Sequence, residues 1–228
     1  MSYLKSITDS LPDTYLTKNL GDQKTPLNIF VPKVLSRKKV LIIAGLHGDE
    51  PGGPLGILKF LNQSNARELL DRLSVSFIPI VNYYGFENNK RKNEENKDVN
   101  RNFFSENTSK QTKIILKNSK LIVNLAKDGF LTLHEDDSKK GFFVYTYGNK
   151  KQLFDSILDT GRKFFNIQKD NKIEDGQIKE TNDQSFEDFL ANKNILGICT
   201  ETPPSEKLQK RVEANRQIIN TFLRFFLL

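Results

Sequence analysis

Short apolar runs rich in Val, Ile and Phe, separated by longer amphipathic stretches, constrain the fold of this 228-residue chain more than any other feature. They predict strands at residues 27–31, 40–45, 75–81, 130–134, 142–146 and 195–200. The run VLIIAG, at 40–45, has no polar alternation, so we expect both faces of its sheet to be covered. Because strands alternate with helical patterns, the chain predicts an α/β fold. We expect a mixed, mostly parallel, twisted sheet with helices on both faces, which gives three layers.

Helical patterns occupy most of the remaining chain, at residues 53–61, 110–127, 150–165, 185–192 and 206–226. The last of these carries an apolar stripe at three-, four- and seven-residue steps. Ser205, which an acidic residue follows, is the expected start of this helix. The length suits a single domain spanning residues 1–228.

The charge pattern bears on partners and compartment. The chain has 35 basic and 28 acidic residues, a formal net charge of +7, but the two signs are mixed along the sequence. We therefore expect no nucleic-acid partner, and only a mild attraction for small anionic substrates. No apolar run approaches the ~20 residues that span a bilayer, and the N-terminus lacks a secretory pattern. With Cys199 as the only cysteine, the expected location is the cytoplasm, without a membrane association.

Both histidines of the chain follow or end predicted strands. His47 comes shortly after the strand at 40–45, Glu50 lies three residues later, and His134 ends the strand at 130–134. Ligands bind beyond the carboxyl ends of strands in open α/β sheets. Two imidazoles and one carboxylate form the protein ligand set of a catalytic zinc site, which keeps a fourth position open. On spacing alone, ordinary core or surface histidines remain an alternative. Cys199 is a further candidate ligand, although its apolar neighbours favour a buried thiol.

Four sequence blocks, in one order, resemble the zinc carboxypeptidases of the carboxypeptidase A-like family. They are LIIAGLHGDEPGG, the pair RKN and DVNRNF, FLTLH, and ILGICTETP. In the second block, Arg91 of RKN and Asp98 of DVNRNF are seven residues apart. The short chain and the HGDE form are most similar to bacterial murein peptide amidases. The succinylglutamate desuccinylase and aspartoacylase branch is also similar. The resemblance extends from about residue 40 to residue 204.

This resemblance implies roles for particular residues. His47, Glu50 and His134 would hold one zinc ion. Glu201 would act as the proton-transferring carboxylate, and Arg91 would stabilise the negative charge of the tetrahedral intermediate. Asn100 and Arg101 would bind the terminal carboxylate of the substrate. Glu187 would also contact the substrate, in the specificity pocket, where its carboxylate would favour a basic side chain. For Glu201, a helix-capping or surface position is the alternative.

The sequence departs from the family pattern at several positions. Asn96 replaces a family glycine, and we expect it to adopt similar backbone angles. Thr132 stands where many relatives carry an acidic residue that orients the ligand histidine. No tyrosine occurs between Phe164 and Glu201, so the substrate-capping hydroxyl is missing or comes from elsewhere. The acidic run Glu135, Asp136 and Asp137 could bind a second cation, although a solvated loop is the commoner role for such a run.

The sequence therefore predicts a zinc metallocarboxypeptidase that hydrolyses an amide bond next to a free carboxylate, in a small peptide such as a cell-wall peptide. Two alternatives stay open. One is an N-acyl-amino-acid deacylase with the same metal chemistry. The other is a non-catalytic relative that keeps the fold and the metal, suggested by the missing tyrosine and by Thr132. The sequence makes no prediction about the oligomeric state.

Overall fold

The computed structural model of the chain describes residues 3–35, 38–179 and 182–228. Its strands are β1 (Tyr15–Asn19), β2 (Asn28–Pro32), β3 (Lys39–Ala44), β4 (Ser74–Ile78), β5 (Gly129–Glu135), β6 (Phe143–Tyr147), β7 (Gln177–Lys179) and β8 (Gly197–Thr202). Its helices are α1 (Tyr3–Ser10), α2 (Gly52–Leu61), α3 (Ala66–Arg72), α4 (Tyr83–Asn88), α5 (Lys110–Lys117), α6 (Ser119–Leu125), α7 (Lys151–Arg162), α8 (Phe186–Ala191) and α9 (Leu208–Phe225). None of the helices in these ranges is both long and apolar enough to cross a lipid bilayer.

The strands form one eight-stranded sheet in the order β1-β2-β4-β3-β5-β8-β6-β7. The four central strands, β4, β3, β5 and β8, run parallel to one another. Antiparallel pairing begins on either side of them, where β2 joins β4 and β6 joins β8. The predicted mixed, mostly parallel sheet is confirmed, and the carboxyl ends of its central strands meet along one edge.

Two hydrophobic cores lie on opposite faces of the sheet. The alternation along β3 sends Val40 and Ile42 into one core and Leu41 and Ile43 into the other. The first core is closed by α1, α2, α3, α7 and α9, and the second by α5, α6 and α8. Helices thus cover both faces, which confirms the three-layer prediction and explains why the strand at β3 has no polar alternation.

All six predicted strands are present, with ends shifted by one to three residues. The sequence pattern missed β1 and β7, at the two edges of the sheet. The side chains of β1 are half-buried or exposed, so its sequence YLTKN carries no apolar alternation. It is ordered by antiparallel pairing with β2 over five residues. β7 has three residues, which is too short for a pattern to show.

Two helix predictions are wrong. The single helix expected at 110–127 is divided into α5 and α6 at Asn118, whose Nδ2 donates a hydrogen bond to the Ile114 carbonyl at 2.9 Å. Asparagine side chains compete with the helical backbone in this way. The last helix begins at Leu208, with Lys207 rather than Ser205 as its N-cap. A turn in which the Glu206 N–H donates to the Pro203 carbonyl comes first and delays the helix.

Adding a methyl group at Gly56 is expected to destabilise the protein by about 1–3 kcal/mol. Gly56 lies where α2 packs against α9, and a Cβ there would lie 2.5 Å from the Cβ of Asn215. Both atoms are held by helix backbones, so one helix would have to move. Urea unfolding of Gly56→Ala measures the effect. Lys59→Ala, on the exposed side of α2, is the control, and we expect it to change stability by no more than ~0.5 kcal/mol. Equal stability of the two variants would contradict the prediction.

Candidate active site

The three predicted metal ligands converge at the carboxyl edge of the sheet. His47 and Glu50 lie in the connection between β3 and α2, and His134 is the penultimate residue of β5. Because β3 and β5 are parallel neighbours, their carboxyl ends bring these side chains together although 84 residues separate Glu50 from His134. One ligand atom from each residue lies within 4.8 Å of the other two.

The carboxylate of Glu50 lies between the two imidazoles. His47 Nδ1 is 2.6 Å from Oε1 of Glu50, and His134 Nδ1 is 2.9 Å from Oε2. All three side chains are buried. Burial opposes the ionised form of Glu50, but the two histidines outweigh it and hold the pKa of Glu50 far below its usual range. Burial likewise disfavours charged imidazoles, but the carboxylates around them raise the pKa of both His47 and His134.

These residues fit a divalent metal ion. Two imidazoles and one carboxylate are a common protein ligand set for catalytic zinc, and here their ligand atoms lie within 4.8 Å of one another. In addition, the second nitrogen of each imidazole faces a carboxylate. His47 Nε2 is 3.1 Å from Asp98 Oδ1, and His134 Nε2 is 3.3 Å from Glu187 Oε1. Carboxylates behind ligand histidines fix the orientation of the ring in metal sites.

Arg91 lies on the solvent side of this cluster. Its Nη1 is 3.3 Å from Glu50 Oε1 and its Nη2 is 3.4 Å from Asp98 Oδ2. The guanidinium contributes, after His47, to the fall in the pKa of Asp98 below its usual range, against the opposing effect of burial. The arginine side chain is 44% exposed, so its positive charge faces both the cluster and the opening above it.

Glu201 lies in strand β8 next to His134, its register partner on β5. It is therefore not part of a helix cap, which was one alternative for this residue. Its Oε2 is buried and, among the described residues, has no hydrogen-bond partner, whereas Oε1 lies 3.8 Å from the Cys199 thiol. Burial, reinforced by the charge of Glu50 and opposed by His134, raises the pKa of Glu201 to about 8. Burial also raises the pKa of the Cys199 thiol, as expected of an inert buried cysteine.

The segment from Asn89 to Ser109 carries the other predicted substrate-binding groups. Asn96 has φ +58°, which confirms that it takes the backbone angles expected at the family's glycine. Asn100 is buried, accepts the Phe186 N–H on its Oδ1 at 2.9 Å, and donates from Nδ2 to Glu187 Oε2 at 3.1 Å. Arg101 is more exposed, and its Nη1 donates to the Asn100 carbonyl at 2.8 Å.

Glu187, which the sequence assigned to a specificity pocket, is the second residue of α8 and is 2% exposed. Its two oxygens face His134 and Asn100. Burial would raise its pKa, but the interaction with His134 prevails and lowers the pKa of Glu187 to about 2. The structure thus brings Glu187 to the metal-ligand cluster, where the sequence pattern alone did not place it.

The acidic run after His134 begins in strand β5 and continues into the turn that follows it. Glu135 points away from His134 because neighbouring side chains in a strand alternate. Its Oε1 accepts the Gly52 N–H at 3.0 Å, and its Oε2 pairs with Arg211 of α9. Glu135 is therefore satisfied by protein groups. Asp136, with Oδ1 accepting the Ser138 N–H at 2.7 Å, lies in the turn after the strand.

A cleft of about 410 Å³ opens above the cluster. Its walls include all eight predicted site residues. They also include Tyr145 and Tyr147 of β6, which sequence reasoning did not assign. Tyr145 pairs in register with Cys199 and so lies on the same side of the sheet as Glu201. Burial first, and then the charge of Glu201, raise the pKa of the Tyr145 hydroxyl. No sequence signal singles out this tyrosine, because it lies in an ordinary apolar strand.

Comparisons with known proteins agree with this geometry. A family model for DUF2817, described as proteins of unknown function, matches residues 12–121. A candidate metallopeptidase from Shewanella amazonensis is 32% identical over 98% of this chain and 91% of that chain, with a TM-score of 0.91. A metallo-carboxypeptidase from Burkholderia cenocepacia shares the fold, at 14% identity over 98% of this chain and 67% of that chain, with a TM-score of 0.75. A comparison with curated proteins finds no match.

A succinylglutamate desuccinylase from Silicibacter species TM1040 has the same fold, at 15% identity over 93% of this chain and 66% of that chain, with a TM-score of 0.62. The fold and the cluster of two histidines and a glutamate define a metallopeptidase-like protein. The chain belongs to the same family as the candidate metallopeptidase from Shewanella amazonensis, and it shares the fold of the carboxypeptidases. The similarities and the ligand cluster support a metal-dependent hydrolase.

Proposed function

We propose that this protein is a zinc-dependent carboxypeptidase that removes the terminal residue of a small peptide, such as a cell-wall peptide. One observation carries the proposal. His47, Glu50 and His134 converge at the base of a cleft whose walls present Glu201, a carboxylate with one buried oxygen that no described residue hydrogen-bonds. A metal-ligand cluster next to a carboxylate that is not itself a ligand is an arrangement that can activate water for amide hydrolysis.

His47, Glu50 and His134 would hold the zinc ion. When bound, zinc lowers the pKa of water towards ~7 and polarises a carbonyl group. Glu201 accepts a proton from the attacking water and returns it to the leaving amine. Its buried position beside His134 supports this role, because burial raises the pKa of the Glu201 carboxyl group and makes its carboxylate a stronger base. Arg91, with its charge directed at the opening, stabilises the oxyanion of the tetrahedral intermediate.

The substrate carboxylate is bound at the Arg101 side of the cleft. The Arg101 guanidinium is exposed there and can donate two parallel hydrogen bonds to a carboxylate. Asn100 contributes the second N–H of its amide, since one N–H is engaged by Glu187. Tyr145 supplies a hydroxyl in the same cleft, in place of the tyrosine missing between residues 164 and 201. These groups select an amide bond that lies next to a free carboxylate.

Matched pairs of peptides test this proposal. The zinc-loaded protein is expected to release a free amino acid from a peptide with a C-terminal carboxylate, and to spare the same peptide with a C-terminal amide. Mass spectrometry of the products identifies the bond that is cleaved. Release of a carboxylic acid from N-acyl amino acids, with peptides untouched, would instead identify a deacylase. Stoichiometric zinc without turnover of either class would identify a non-catalytic relative.

A further inference from the structure

The two histidines of the cluster are held in the same way by different parts of the chain. Each turns Nδ1 towards Glu50 and Nε2 towards a carboxylate, which is Asp98 for His47 and Glu187 for His134. Asp98 comes from the segment after α4, whereas Glu187 comes from α8, on the opposite side of the cluster. Thr132, two residues before His134, offers a hydroxyl and no carboxylate.

Both carboxylate oxygens of Glu187 lie against groups of the protein. Oε1 lies 3.3 Å from His134 Nε2, and Oε2 accepts the Asn100 Nδ2–H at 3.1 Å. Oε1 and Nε2 are both buried, and among the described residues neither forms a hydrogen bond of good geometry, so their 3.3 Å contact is a charge–charge approach. The carboxylate therefore faces the His134 ring with one oxygen and accepts the Asn100 amide with the other.

We propose that Glu187 is a positioning residue, which orients the metal ligand His134 and, through its other oxygen, the substrate-binding Asn100. The inference rests on the proposed function, since it concerns how the same site is built. It also explains how a chain with Thr132 can orient its second histidine. The carboxylate comes from a helix packed over the strand instead of from the strand itself.

This role differs from that of a specificity residue, which the sequence resemblance implies for Glu187. A carboxylate that selects a basic side chain must be reachable by the substrate. Glu187 is 2% exposed, and a substrate ammonium would have to displace His134 or Asn100 from it. Breaking such buried charge-assisted contacts is costly, so the geometry favours orientation over recognition.

The test is zinc affinity measured without substrate. Glu187→Gln keeps the size of the side chain but has one acceptor and one donor at its end, so it can satisfy only one of the two N–H groups. We expect zinc affinity, measured by competition with a chelator, to fall about 10–100-fold. The control is Asp188→Asn, whose carboxylate lies next along α8 and accepts the Ser185 N–H at the start of the helix. This variant is expected to lose stability and to keep its zinc affinity.

A spectroscopic readout separates orientation from general loosening of the fold. The chain has two histidines, so their ring N–H signals in NMR are readily assigned. In the zinc-loaded protein, the His134 Nε2–H should be protected from exchange by Glu187, and this protection should be lost in Glu187→Gln. If that variant does not fold, Glu187→Asp, which keeps both acceptors on a shorter side chain, should fold and show a smaller loss of affinity.

Four results would overturn the inference. Unchanged zinc affinity and unchanged His134 protection in Glu187→Gln would remove the positioning role and leave the proposed function intact. Unchanged zinc affinity with a lost preference for basic terminal residues would make Glu187 a specificity residue. Two zinc ions per chain, one of them lost in Glu187→Gln, would make it a ligand of a second ion with His134 and Cys199, which also lie close together. A wild-type chain that binds no zinc would overturn the proposed function as well.

Discussion

Replacing Glu201 with glutamine is expected to lower kcat/KM about 10²- to 10⁴-fold, the usual contribution of a general acid–base group. The glutamine side chain has the same shape but cannot accept the proton of the attacking water. Glu201 lies outside the three-residue ligand cluster, so the variant should bind as much zinc as the wild-type protein. Steady-state kinetics on the peptide with a free carboxylate, together with metal analysis of the same sample, measures both properties.

The effect of Glu201→Gln needs a control from the same region. Glu206→Gln changes a carboxylate that pairs with Lys210 on the protein surface and does not line the cleft. It should leave kcat/KM and zinc content unchanged. If Glu201→Gln retained the wild-type rate with full zinc occupancy, another group would have to carry the proton. The acid–base role assigned to this residue would then be wrong.

Removing the imidazole of His134 is expected to abolish zinc binding and the stabilisation that zinc confers. A site at 1,000 times its Kd in free zinc stabilises the folded protein by about 4.1 kcal/mol. For a chain of this size, 1 kcal/mol shifts Tm by roughly 2–4 °C, so zinc should raise the Tm of the wild-type protein by roughly 8–16 °C. His134→Ala should show no zinc-induced shift, because two ligands remain of a three-ligand site.

The control for His134→Ala is Leu133→Val, which changes the neighbouring residue of β5. Leu133 points into the opposite core, so this variant should be less stable with and without zinc and should keep the full zinc-induced shift. Differential scanning calorimetry of the three proteins, each with and without zinc, makes the comparison. A large zinc-induced shift in His134→Ala would show that the ion is bound elsewhere.

Much of the fold could be predicted from local patterns. The uninterrupted apolar run of β3 indicated a sheet covered on both faces, and the alternation of strands with helices indicated a three-layer order. Edge elements escaped prediction, because β1 is stabilised by its pairing with β2 and not by an apolar face of its own. The division of the helical stretch into α5 and α6 at Asn118 was not predicted either, since it accompanies a single side-chain hydrogen bond within an otherwise helical pattern.

By itself, the sequence determined which chemical groups stand at the carboxyl ends of the central strands, namely the imidazoles of His47 and His134 and the carboxylates of Glu50 and Glu201. It could do so because the apolar pattern of a strand, and the residues that end or follow it, are local features of the sequence. Only the tertiary structure decided what lies behind these groups. Asp98 reaches His47 across 51 residues, and Glu187 joins His134 to Asn100, 87 residues before it in the chain. Such contacts depend on how α8 and the segment after α4 pack over the sheet, which is a sum of many weak, distant interactions that no short stretch of sequence encodes.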